Sequence, residues 1–254
     1  MPQRPISTIF FDVGGTILTV QPSVGKIYAD AATRLGFDVD PGRVNANFKE
    51  AWKRSLRRRQ SNGHVCDDEV LRADWCQVVV DSFEGLLPPE VATEAFRDLY
   101  DRFCRADAWR IADGARETFE ELGALGYRLG ILSNWDHRLE ETLESLGLLG
   151  YFEFRVISYR VGVEKPHPKI FQEALREAGV PAREALHIGD SFEWDIEPAH
   201  ALGLRALWLR DGKGPIPEIS REAAGGAENI DSVSSFRDIL PFIRGLENSA
   251  NSSD

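Results

Sequence analysis

Residues 7–12 form a short apolar run, rich in Ile and Phe, that ends at Asp12 just before the Gly14-Gly15 pair. Such a run suits a strand buried on both faces, as in a parallel sheet. Beyond Gln21 the period changes. Ile27, Ala31 and Leu35 recur at helical spacing, as do Phe48, Trp52 and Leu56, then Trp75, Val79 and Phe83, then Phe96, Leu99 and Phe103. Pro41 and Pro88-Pro89 punctuate these segments. The pattern predicts an insertion of about four helices.

From Asp113 the rhythm alternates between helix and strand. Helices are expected over 115–125, 136–146 (capped by Asp136), 168–178 and 196–202. Strands are expected over 128–132, 154–158, 185–188 and 206–209. This alternation predicts an α/β fold: a doubly wound, Rossmann-like parallel sheet core over 1–19 and 106–247. The helical bundle, an inserted cap domain, occupies 20–105. The polar end, 248–254, is expected to fray.

The 254 residues suffice for such a core with an insertion. A net charge of −11 argues against nucleic acid or an anionic membrane surface as partner, because both would repel the chain. A small phosphorylated substrate remains compatible, since a metal ion and one lysine can reverse the field locally. Cys66, Cys76 and Cys104 are too widely spaced for a zinc or redox site and read as free thiols. No apolar run reads as a signal peptide or a membrane span, so a cytoplasmic location is expected.

Four features fall at the carboxyl ends of predicted strands, where open α/β sheets bind ligands. They are Asp12 in FFDVGGTIL, Ser133 in GILSNWD, Lys165 in VEKPHP, and Asp190 with Asp195 in HIGDSFEWD. Singly each is weak. In this order, with a helical insertion after the first, they resemble the four motifs of the haloacid dehalogenase superfamily. The runs ILSNWDHRLEETLESLGL and FRVISYRVGVEKPHPKIFQEAL further resemble an animal branch of that family.

The resemblance implies a Mg²⁺-dependent hydrolase with Asp12 as nucleophile, forming an aspartyl-phosphate with a small phosphomonoester. Ser133, Lys165 and the Asn134 backbone N–H would bind the phosphoryl group, which needs fixed donors and cations. Asp12, Asp190 and the Gly14 carbonyl would hold Mg²⁺, an ion that prefers hard oxygens. Asp195 would act on the metal from behind or through water, or else serve as a helix cap.

One departure stands out. Phosphatases of the family read Asp-x-Asp-Gly-Thr, and the second aspartate moves the proton; here that position is Gly14. Glycine keeps the carbonyl and loses the acid–base group, whose worth is roughly 10²–10⁴-fold. Glu193 and Asp136 are the nearest candidates to replace it. Each also has a plain reading, as a solvated acid and a helix cap. His187 reads as a core histidine, His167 as a loop hydrogen-bonder, and Arg57-Arg58-Arg59 as a solvated helix face. Two alternatives stay open: a catalytically silent binding protein, and a C–halogen hydrolase whose leaving group needs no proton.

Overall fold

The computed structural model describes residues 5–210 and 230–251, with backbone alone for 249–251. The strands are β1 (Thr8–Phe11), β2 (Leu18–Val20), β3 (Trp109–Ile111), β4 (Arg128–Ser133), β5 (Phe154–Ile157), β6 (Ala185–Gly189), β7 (Arg205–Leu209) and β8 (Ser232–Val233). The helices are α1 (Val24–Arg34), α2 (Pro41–Ser61), α3 (Asp68–Ser82), α4 (Pro89–Arg102), α5 (Ala115–Ala124), α6 (Leu139–Ser145), α7 (Ser158–Val161), α8 (Pro168–Ala178), α9 (Glu197–Ala201) and α10 (Ile239–Asn251).

The chain divides into two compact units. One comprises Met1–Leu18, Ile111–Asn134 and Leu148–Asp254; the other comprises Thr19–Arg110 and Trp135–Gly147. The first unit is built on a six-stranded sheet in the order β5-β4-β1-β6-β7-β8. Every pairing in it is parallel. All four residues of β1 are buried, as a strand covered on both faces requires. Phe10 packs among Leu132, Val156, Ile170 and Phe171. Phe11 sits in an aromatic group with Phe119, Phe152 and Phe236.

Strand order decides where chemistry can occur. After β1 the chain builds outward through β4 and β5, then returns to add β6 and β7 on the other side of β1. The crevice at such a reversal lies beyond the carboxyl ends of the strands. Register pairs Phe11 with Ile131 and with Ile188, so the residues that follow emerge at one edge of the sheet.

The second unit is helical, and its capping residues are legible in the sequence. Ser23 caps α1 through Lys26 N at 3.2 Å, Asp67 caps α3 through Val70 N at 2.8 Å, and Asp40 caps α2, which begins at Pro41. Tyr28, Val79, Phe83, Phe96, Leu99 and Phe103 form its core. The inner face of α2 is smaller than its spacing of large residues predicts: Val44, Ala51 and Ser55 are buried, while Trp52 is 38% exposed and stacks on Phe48. Arg58 and Arg59 are more than a solvated face. Both bind Asp74 of α3, at 2.7 and 3.1 Å, with Ser55 as a further donor.

Two expectations about the segment after β4 change. Residues Trp135–Gly147 group with the helical unit, whereas the alternating pattern assigned them to the α/β core. Arg138, and not Asp136, holds the N-cap position of α6. Asp136 Oδ1 accepts from the Arg138 N–H at 3.1 Å just ahead of the helix, and both its oxygens bind the Arg138 guanidinium. That guanidinium lies over Tyr100 and Trp75, with ring centroids 3.8 and 4.3 Å away, and donates to the Tyr100 carbonyl at 2.9 Å. Cation–π contact and a doubly bonded carboxylate keep this buried ion pair satisfied.

At the carboxyl end, α10 continues to Asn251 where fraying was expected from 248, and 252–254 lie outside the described residues. Among the described residues no helix is long and apolar enough to cross a membrane.

Candidate active site

Asp12 follows β1 directly. Its N–H donates to the Ile188 carbonyl at 2.9 Å, which ties the residue to β6, and its side chain is buried. The chain then folds back on itself. Gly15 N–H donates to the Leu18 carbonyl and Leu18 N–H to the Val13 carbonyl, each at 2.8 Å. Gly15 sits at φ +87°, a left-handed conformation that costs glycine little. A Cβ there would also come within 2.7 Å of the Asp190 carboxylate. The Gly-Gly turn therefore serves to let one acidic residue approach the loop of another.

Ser133 ends β4, and its hydroxyl donates to Asp12 Oδ1 at 3.1 Å. The next residue, Asn134, uses its side chain as a bracket. Its Nδ2 donates to the Lys165 carbonyl at 2.9 Å, and its Oδ1 accepts from Lys165 N at 2.7 Å. Both backbone groups of Lys165 are thus fixed to the end of β4. From there the buried Lys165 ammonium donates to Asp12 Oδ1 at 2.7 Å and to Asp195 Oδ1.

Asp190 follows β6, accepts from Thr16 Oγ1 at 3.5 Å, and its carbonyl accepts from Trp208 Nε1 at 2.9 Å. A π-turn over Phe192–Ile196 then brings Asp195 back beneath Gly189. Such turns recur at functional sites. A Cβ on Gly189 would lie 2.3 Å from Asp195 Cγ, so glycine is needed for the approach. Asp195 is fully engaged: Oδ1 accepts from Lys165 and from His187 Nε2 (3.0 Å), and Oδ2 accepts from Ser191 N at 3.1 Å.

The carboxylates of Asp12, Asp190 and Asp195 offer oxygens that lie within 4.8 Å of one another. One ammonium faces three carboxylates, and the electrostatics follow from that imbalance. Burial first, then the charges of Asp195 and Asp190, push the Asp12 carboxyl up to about 6 against the pull of Lys165. Burial would also raise Asp195, but Lys165 and His187 outweigh it and hold that carboxyl well below the usual range. Burial works against the Lys165 charge as well; its two carboxylate partners prevail, and its pKa is raised. Burial lowers His187, leaving it neutral, so its Nε2–H is a donor to the ionised Asp195.

The residues singled out in the sequence thus meet in one unit: Asp12, Ser133, Asn134, Lys165, Asp190 and Asp195, with Gly14 exposed beside them. Three details were not legible. The Asn134 side chain clamps Lys165, Thr16 contacts Asp190, and His187 backs Asp195. Only the last had a signal, a histidine three residues before Asp190 on a strand. His167 accepts from Lys169 N at 3.2 Å and caps α8, the hydrogen-bonding role expected of it.

Known proteins resemble this chain in sequence and in fold. The family model described as haloacid dehalogenase-like hydrolase matches residues 6–203. Haloacid dehalogenase-like hydrolase domain-containing protein 3 of Danio rerio is 34% identical over 215 residues, covering 82% of this chain and 88% of that protein. Glyceraldehyde 3-phosphate phosphatase of Pyrococcus abyssi is 41% identical over 105 residues, 41% of this chain and 44% of that enzyme. Among solved structures, a dehalogenase with intermediate complex superposes with a TM-score of 0.73 at 18% identity, covering 94% of this chain and 98% of the other. With its parallel sheet, its four strand-end motifs and these relatives, the chain belongs to the haloacid dehalogenase-like hydrolases.

Proposed function

We propose that this hydrolase is a Mg²⁺-dependent phosphatase acting on a small phosphorylated molecule, with Asp12 as nucleophile. The observation that carries this is the pair of donors on one oxygen. Ser133 and Lys165 both bind Asp12 Oδ1, which orients the carboxylate and leaves Oδ2 for attack on phosphorus. The same hydroxyl and ammonium are the fixed donors that a transferring phosphoryl group requires.

The residues present fit a hard divalent cation. Three carboxylates converge against one ammonium, all donors are oxygens, and the Asp12 carboxyl is raised first by burial and then by the charges of Asp195 and Asp190. Asp12 and Asp190, with the Gly14 carbonyl, would hold the ion. Asp195 would stay with Lys165, since both its oxygens already accept hydrogen bonds. Bound there, Mg²⁺ supplies positive charge to the phosphoryl oxygens. The phosphatase named among the relatives supports phosphate chemistry.

Hydrolysis of a carbon–halogen bond is the second reading, and Gly14 favours it because a halide leaves without a proton. The convergent carboxylates weigh against it, because attack on a haloacid has no need of a cation. The test is release of phosphate from a panel of phosphomonoesters and of halide from short haloacids, with and without Mg²⁺. Metal-dependent phosphate release that Asp12→Asn abolishes is expected. Metal-independent halide release, or an Asp12→Asn protein with unchanged turnover, would overturn the proposal.

A further inference from the structure

We infer that this site serves phosphate compounds whose leaving group departs as a stable anion: acyl, enol and aryl phosphates in preference to alkyl phosphates. The inference rests on the phosphoryl-transfer reading above and names its substrate class.

The titratable side chains that bond to Asp12 or cluster with it are already committed. Lys165 is bound to two carboxylates at once. Asp195 accepts from three donors, and His187 is fully buried behind it with Phe171 against its ring. Asp190 belongs to the carboxylate cluster and takes the Thr16 hydroxyl. Ser133 is an alcohol whose proton is directed at Asp12. Gly14, two residues beyond the nucleophile and exposed, has nothing to titrate. In the helical unit, Asp136 is held on both oxygens by Arg138. Glu193, exposed on the π-turn, is the one sequence candidate that no such bond immobilises.

The chemistry follows with atoms balanced. Asp12 Oδ2 attacks phosphorus, and the phosphorus–oxygen bond to the leaving group breaks. Its electron pair departs on a carboxylate, enolate or phenolate oxygen, none of which needs a proton to leave. An alkoxide would need one. With an acyl phosphate the first step exchanges one mixed anhydride for another, so the covalent intermediate forms without an uphill climb. Water then attacks the same phosphorus, the phosphorus–oxygen bond to Asp12 breaks, Asp12 departs as carboxylate, and both protons of the water leave with the product as dihydrogen phosphate. This second step also lacks a base, so the aspartyl-phosphate persists.

The test is kcat/KM for the full chain with Mg²⁺ on acetyl phosphate, a series of substituted phenyl phosphates and ethyl phosphate, repeated for Gly14→Asp and Glu193→Gln. Gly14 lies outside the left-handed region, so an aspartate is compatible with its backbone. The wild type should show a steep rise with leaving-group acidity. Gly14→Asp should flatten it by restoring the poor leaving groups, roughly 10²–10⁴-fold for ethyl phosphate. Glu193→Gln should leave the slope unchanged. A burst of about one phenolate per site, followed by slower turnover, is expected from the persistent intermediate.

A shallow wild-type slope would overturn the inference and leave phosphatase activity intact, as would a slope that steepens in Glu193→Gln. Should Gly14→Asp fail to fold, the wild-type slope over the phenyl series decides alone. No transfer from any donor, acetyl phosphate included, would overturn the phosphatase reading together with the inference.

Discussion

At the scale of residues, the site is a charge imbalance held in place by burial. The Asp12 carboxyl, raised from 3.8 to about 6, is a group that the folded protein prefers protonated. The sign follows by linkage: a raised carboxyl contributes stability that is present below its unfolded pKa and lost as pH rises through the folded one. Relative to Asp12→Asn, whose amide stays neutral, metal-free wild type should therefore lose stability between about pH 4 and pH 7. A shift of this size corresponds to about 1–3 kcal/mol. Urea denaturation of both proteins across that range measures it, and the opposite slope would contradict the charge assignment. Millimolar Mg²⁺ should raise the wild-type Tm at pH 7 and shift Asp12→Asn far less, because only the former offers the full anionic donor set.

Lys165 is the counterpart. It is 2% exposed and carries the one positive charge described among the carboxylates. Removing one member of a buried pair leaves the other charge uncompensated, at a cost of about 3–5 kcal/mol. Lys165→Met should lose that much in urea denaturation, and Asp12→Asn in the same chain should recover part of it. Strictly additive effects would mean that the two side chains do not share a network.

At the scale of elements, short connections do the positioning. The turn after β1 and the π-turn after β6 each use a glycine to let a carboxylate approach backbone. Gly189→Ala puts a Cβ onto Asp195, which must swing away from Lys165 and Ser191. The expected result is a loss of about 1–3 kcal/mol in stability and a larger fall in phosphate release than the stability loss accounts for. Full activity would mean that Asp195 does not orient Lys165.

These loops also mark where sequence reading stops. Strands β1, β4, β6 and β7 and helices α1–α5 and α8 were legible, because burial on both faces gives unbroken apolar runs and single-faced packing gives a helical period. Asp12, Ser133, Lys165 and Asp190 were legible because each sits where such a run ends. The Asn134 clamp on Lys165 was not, since it joins backbone and side chain across 31 positions. Nor was the Asp136–Arg138 pair, because a carboxylate before a helix reads first as a cap. The membership of α6 was equally hidden: amphipathic spacing tells that a face is buried, not which core buries it.

At the scale of the whole molecule, one unit holds Asp12, Asp190 and Asp195, and the other is a separately packed helical bundle with its own aromatic core. A chain with net charge −11 suits small ligands more than polyanions, and among the described residues of the first unit Lys165 is the ammonium paired with the clustered acids. Everything proposed about turnover passes through one atom pair, a phosphorus and an oxygen of Asp12. The most direct measurement is therefore mass analysis of the peptide containing Asp12 after brief exposure of the Mg²⁺-loaded protein to acetyl phosphate and an acid quench. The account predicts one phosphoryl group on Asp12 in the wild type and none in Asp12→Asn. An unmodified Asp12 peptide, or a phosphoryl group that survives in Asp12→Asn, would contradict it.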